Sequence, residues 1–225
     1  MKTRSIMLCA LAGIAITGLS LGAAWAADAK AATGDPYPLD TCPVTGEKLG
    51  AMGDQIIETI NGREVRFCCA GCVSKYKAKT AEYDKKMDAA IVEQQKALYP
   101  LDTCVVLGGK LDAMGGGVDY IYQNRLVRFC CKGCIGKFEK EPGKYLAILD
   151  KAVIEKQKAE YPLDTCIASG EKLGGSMGEP VDFVMNNHLF RLCCASCADK
   201  LKKDPIKYTK ILDDARKAKA QTPKK

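Results

Sequence analysis

Histidine is nearly absent from this chain of 225 residues: His188 is the only one. No histidine therefore stands beside a nucleophile in the repeated part, and sites built on several imidazoles are excluded. Aromatic residues make up 7% of the chain and none alternates with the basic ones. That removes the usual stacking-plus-charge footprint of nucleic-acid binding. Leu107-Gly108-Gly109-Lys110 lacks the first glycine and the Ser/Thr of a phosphate loop. No Cys-x-x-Cys-His occurs for haem attachment. No Gly/Ser linker divides the chain, and no apolar run beyond the first 26 residues is long enough to cross a membrane. These absences point away from an enzyme.

The beginning of the chain reads as an export signal. Lys2 and Arg4 precede an uncharged stretch from Ser5 to Trp25, and Ala24-Trp25-Ala26 offers the small residues of a cleavage site. Residues 1–26 are read as a signal peptide and residues 27–36 as a short linker, so the mature chain is expected to be periplasmic or secreted. The apolar stretch also has about the length of a membrane anchor. Cys9 follows Leu8 rather than the small residue that lipidation needs. Losing Lys2 and Arg4 lowers the net charge from +7 to +5. The lysines of Lys151–Lys158 are interleaved with Glu155 and Glu160, the pattern of a solvated helix face.

What the chain has in abundance is cysteine, 13 in all. Twelve of them fall into three matched sets. Tyr-Pro-Leu-Asp-Thr-Cys recurs at Tyr37–Cys42, Tyr99–Cys104 and Tyr161–Cys166, 62 residues apart, and each copy is followed by Cys-Cys-x-x-Cys. The sets are Cys42, Cys68, Cys69 and Cys72; Cys104, Cys130, Cys131 and Cys134; and Cys166, Cys193, Cys194 and Cys197. A recurrence of this period signals tandem units, here residues 37–98, 99–160 and 161–218, with a basic tail over 219–225.

Each unit has the same expected local structure, giving an α+β fold of three small cysteine-rich units. The first cysteine opens a glycine-bearing turn, ending at Gly46, Gly108 or Gly170. A hairpin follows. In the first unit Ile56–Ile60 and Arg63–Phe67 flank Asn61-Gly62, the strongest short hairpin signal because both turn residues need positive φ. Gln123-Asn124 and Asn186-Asn187 serve in the other units, with His188 read as a plain turn residue. A helix starts near the last cysteines. Pro142 begins a second helix with Tyr145, Leu149 and Val153 on one side. The next Tyr-Pro ends it. Units this small bury little, so the cysteines are expected to act as staples.

The spacing allows three kinds of staple. Residues three and four apart share a helix face, so Cys130 or Cys131 can meet Cys134. The hairpin returns the chain, so Cys104 can join them. Thiols at a helix start have lowered pKa and favour the thiolate that metals bind. All-sulfur sites suit zinc or copper(I), one per unit. An exported chain with an even cysteine number also suits disulfides, although adjacent cysteines bridge only with strain. Cys-x-x-Cys allows thiol redox chemistry, without the βαβ context that usually accompanies it. Met52, Met114 and Met177 recur after Lys-Leu-x-x. Their thioethers would favour copper(I), but they are read as fillers of a gap under a loop.

Phe129-Cys130-Cys131-x-x-Cys134-x-x-x-Phe138-x-x-x-Pro142-x-x-Tyr145 resembles the ending of the YHS domain and the related TRASH domain. Those are small treble-clef-like metal-binding folds, the second tied to heavy-metal trafficking, resistance and sensing. The resemblance places the first family cysteine on Cys42, Cys104 and Cys166. It places the later pair on Cys68 and Cys72, Cys130 and Cys134, and Cys193 and Cys197. Cys69, Cys131 and Cys194 stand where YHS has serine, as a fourth ligand or a spare. Thr45, Leu107 and Ser169 occupy the position of a second cysteine in the first turn of relatives. Leu201 replaces the phenylalanine and Thr80 the proline. The resemblance implies heavy-metal binding in scavenging, trafficking or resistance, with metal ions as partners; the leader makes the protein an exported one, and the helices are the expected face for a protein partner. A structural or interaction module held by zinc or disulfides, and a thiol redox protein, are the competing expectations.

Overall fold

A computed structural model describes residues 34–51, 53–113 and 116–221. The expected signal peptide, Met52 and Met114 lie outside the described residues. Among them the chain forms six helices and three two-stranded antiparallel hairpins, with the order strand, strand, helix, helix repeated three times. The first repeat holds β1 (Ile56–Ile60), β2 (Arg63–Phe67), α1 (Ala70–Ala78) and α2 (Thr80–Lys96). The second holds β3 (Val118–Tyr122), β4 (Arg125–Phe129), α3 (Gly133–Lys140) and α4 (Pro142–Lys158). The third holds β5 (Val181–Met185), β6 (His188–Leu192), α5 (Cys197–Lys203) and α6 (Pro205–Gln221). No helix among these residues is long and apolar enough to cross a membrane.

The turn chemistry sets the hairpin registers. Asn61 and Gly62, Gln123 and Asn124, and Asn186 and Asn187 all have positive φ, the two-residue turn that matches the twist of paired strands. The registers Ile56↔Phe67, Val118↔Phe129 and Val181↔Leu192 follow. The second strand turns Phe67, Phe129 or Leu192 inward to meet Tyr76, Phe138 or Leu201 of the short helix. In the second unit Phe138 packs against Phe129 and Tyr122, with ring centroids 5.4 and 5.1 Å apart. Pro142 and Pro205 open the long helices, where the missing N–H costs nothing. Leu149 and Val153 are buried on α4.

The repeats are interlocked through hydrogen bonds that the repeat pattern alone did not reveal. Gln95 of α2 is fully buried. Its amide donates to the Asn124 carbonyl at 2.9 Å, and its oxygen accepts from Leu126 N–H at 2.8 Å and from Asn187 Nδ2 at 3.1 Å. Gln157 of α4 repeats the grip on the third hairpin, through the Asn187 carbonyl and Leu189 N–H. The turn asparagines reach back: Asn124 Oδ1 accepts from Arg63 and Asn187 Oδ1 from Arg125. First and third units meet directly as well. Arg66, fully buried, donates to the carbonyls of Lys202 and Lys203, and Asn186 N–H donates to Asp35, just ahead of the first unit. Each unit thus bonds to both others.

One local reading needs correction. His188 is not a turn residue; it opens β6 and is buried. At the matching positions Arg63 pairs with Asp88 at 2.7 Å and Arg125 with Asp150 at 2.5 Å. In the third unit Arg216 of α6 supplies the cation instead, donating to His188 Nδ1 at 2.9 Å and to Asp213 at 3.2 Å. Burial, then the Arg216 charge, hold the imidazole neutral, with its pKa down at about 3. Asp35 and Pro36, read as linker, accept hydrogen bonds from Asn186 and Asn124. Burial pushes the Asp35 carboxyl up, against the pull of Arg125. The tail begins inside a helix, since α6 runs to Gln221.

Candidate metal centres

Three elements of each unit deliver one sulfur apiece. The first cysteine sits in a tight turn. Cys42 N–H donates to the Glu47 carbonyl and Gly46 N–H to the Cys42 carbonyl, both at 2.8 Å; the same pair of bonds recurs at Cys104 and Cys166. Gly46, Gly108 and Gly170 take φ of 74°, 70° and 79° there, a conformation that favours glycine. The second cysteine follows the last residue of β2, β4 or β6. The third lies in the first turn of α1, α3 or α5. The hairpin brings the strand end back beside the turn, and the helix starts under both.

The outcome is three buried sulfur triads: Cys42, Cys68 and Cys72; Cys104, Cys130 and Cys134; Cys166, Cys193 and Cys197. Within each, all sulfurs lie within 4.8 Å of one another, and no residue is more than 5% exposed. The Cys68–Cys72, Cys130–Cys134 and Cys193–Cys197 sulfurs are 3.6, 3.8 and 3.7 Å apart. Ligands about 2.3 Å from one tetrahedral zinc stand about 3.8 Å from each other, whereas a disulfide needs about 2.05 Å. All twelve described cysteines are free thiols. The donor set therefore fits one soft or borderline ion per triad.

The thiols in a site differ because their donors differ. Burial works against ionisation of the first cysteine, and hydrogen bonds outweigh it. At Cys42 the N–H groups of Cys68, Thr45 and Val44 and the Thr45 hydroxyl bring the pKa to about 7. At Cys166 the Ser169 hydroxyl and three N–H groups bring it to about 6. Cys104 is lowered by the N–H groups of Cys130, Leu107 and Val106. The third cysteine behaves oppositely to the expectation for a helix start. Burial, then neighbouring thiols, push Cys72 and Cys134 up, and Cys197 up to about 12. Burial beats the helix terminus at these positions, so an arriving metal must displace protons.

Cys69, Cys131 and Cys194 lie beside the triads and are half-buried. Their pKa values are lowered: by Cys72 N–H and thiol for Cys69, by the Cys134 thiol for Cys131, and by the Ser196 hydroxyl, to about 7, for Cys194. Two further side chains touch the sulfurs. Thr45 Oγ1 lies 3.5 Å from Cys68 Sγ and Ser169 Oγ lies 3.3 Å from Cys193 Sγ. Their shared place three residues after the first cysteine was the available signal; the contact itself was not foreseen. Leu107 at that place in the second unit is exposed. Met177 is 56% exposed, so it fills no gap under its loop. His188 is engaged with Arg216, far in sequence from the Cys166 turn, and belongs to no triad.

No family model, no curated protein and no solved structure matches this chain.

Proposed function

We propose that this chain is an exported, non-catalytic carrier or scavenger of soft metal ions, holding one zinc or copper(I) in each triad. The observation that carries the reading is the threefold recurrence of a buried sulfur triad at metal-ligand spacing. The cysteine pattern's resemblance to YHS and TRASH domains supports a role in heavy-metal scavenging, trafficking or resistance, in the periplasm or outside the cell. The helices remain available to a protein partner.

A carrier differs from a zinc-stapled module in what happens on metal loss. A purely structural site puts about 10–16 kcal/mol of binding free energy into folding, so stripping it unfolds the unit. Here each core contains apolar residues beyond the cysteines, and buried hydrogen bonds join the units. The metal-free chain is therefore expected to stay folded.

Native mass spectrometry of the reduced mature chain, titrated with zinc and separately with copper(I), tests this. The expected mass gain is three ions per chain. Replacing Cys42 and Cys72 together by serine should remove one ion, as should the Cys104/Cys134 and Cys166/Cys197 pairs. Equal uptake by wild type and by a chain lacking all nine triad cysteines would sink the proposal. Chain recovered with six disulfides that reductant cannot open would do the same.

A further inference from the structure

The fourth cysteine of each set is close to the triad without joining it. Cys69 Sγ is 3.5 Å from Cys72 Sγ, Cys131 Sγ 3.8 Å from Cys134 Sγ, and Cys194 Sγ 3.6 Å from Cys197 Sγ. Cys194 also lies 3.9 Å from Cys193. A resident fourth ligand of a tetrahedral ion would stand about 3.8 Å from all three partners. None of these sulfurs is part of the mutually close group that defines its triad. They are also the only members of their sets that face solvent, since the triad residues are buried and these are half-buried. The arrangement recurs in all three units.

We propose that Cys69, Cys131 and Cys194 are exchange ligands, thiols that pass the ion between the buried triad and an acceptor in solution. This rests on the triads carrying metal as cargo. An ion held by three buried thiolates is out of reach of an outside ligand, and losing it in one step would break three bonds at once. The half-buried thiol offers a stepwise path. The Cys69 sulfur forms a bond to the ion as the Cys72 bond breaks. The Cys69 proton leaves to solvent and Cys72 takes one up, so charge balances and the metal keeps its oxidation state. The ion then has one ligand at the surface, where an external thiolate or chelator can displace it. Entry follows the same steps in reverse. The contact of this thiol with the third cysteine makes that cysteine the one exchanged in each unit.

The test uses the full mature chain, reduced and loaded with zinc alone. Transfer to a chromogenic zinc chelator is followed in wild type and in the Cys69→Ser/Cys131→Ser/Cys194→Ser variant. A tethered ligand acts at an effective concentration in the millimolar range. With the chelator at about 0.1 mM, removing the tethered thiols should slow transfer by about tenfold, while zinc content stays at three per chain. A Cys131→Ser chain should show two phases, with one third of the zinc leaving slowly. An unchanged rate in the triple variant overturns the proposal. So does a fall in its zinc content, which would make these cysteines resident ligands. Wild type that holds neither zinc nor copper(I) overturns the triad reading itself, a result distinguishable from both.

Discussion

Replacing Gln95 by alanine should be among the most damaging changes outside the apolar cores, although Gln95 touches no sulfur. Its side chain is fully buried and makes three hydrogen bonds, all to other units. Truncation leaves Leu126 N–H and the Asn124 carbonyl without this partner. Asn187 keeps its bonds to Arg125 and the Leu126 carbonyl, so its loss is partial. Each buried group left unpaired costs about 1–3 kcal/mol, which gives a destabilisation of about 3–5 kcal/mol. Against a typical total of about 5–15 kcal/mol that is a large share. Urea unfolding of the reduced protein, followed by circular dichroism, measures it. The cooperativity should change too, because Gln95 links all three units: one steep transition should broaden or split. Gln94→Ala is the control, since Gln94 makes only a 3.4 Å bond to the Pro38 carbonyl. It should move stability by about 0.5 kcal/mol or less. A loss below about 1 kcal/mol for Gln95→Ala, with the transition unchanged, would refute the interlocked picture.

Other outcomes follow from the same structure. Phe138→Ala removes a fully buried ring packed among Phe129, Tyr122 and Tyr145 and should cost about 3–5 kcal/mol by urea unfolding. Buried, neutral His188 has a folded pKa of about 3, below its ordinary value near 6.5. Its contribution is therefore present above pH 6.5 and is lost as pH falls toward 3, at about 1.4 kcal/mol per pH unit. His188→Gln, which can still accept from Arg216, should show a shallower acid loss than wild type when unfolding is measured between pH 7 and 4; equal slopes would refute the assignment. Arg66→Ala removes the bonds to the Lys202 and Lys203 carbonyls and should increase amide hydrogen exchange at the end of α5 while leaving β3 and β4 unaffected.

Much of this fold was legible because its signals are local. Asn61-Gly62 announces a two-residue turn, the turn sets the strand register, and the register returns Cys68 to the neighbourhood of Cys42. Pro142 and Tyr161-Pro162 bracket α4 in the same way. The convergence of sulfurs follows from those steps, which is why one cysteine cluster per unit could be read from the sequence. The illegible parts depend on partners distant in sequence. Gln95 sits among polar residues at the end of α2, and only the second and third hairpins bury it. Lys156 and Lys158 look like ordinary solvated lysines, yet they reach the Tyr99 carbonyl and Asp182. Spacing could not distinguish Cys68 from Cys69 as the triad member, because residues four and three before Cys72 share a helix face. The strand end decides it, by holding Cys68 inside and leaving Cys69 at the helix start.

The grip between units also changes at the last helix. Gln95 and Gln157 each seize the hairpin that follows, but the corresponding place on α6 is Ala220, and Arg216 and Lys217 stand where α2 and α4 carry Ile91 and Val92 or Val153 and Ile154. The last helix instead spends Arg216 within its own unit and on α4, at His188, Asp213 and Gln157. Meanwhile Arg66 ties the third unit to the first, and Asp35 ties it to the segment just before the first. The three sulfur triads therefore sit within one closed set of bonds, so a change at one hairpin is passed on to the other two units.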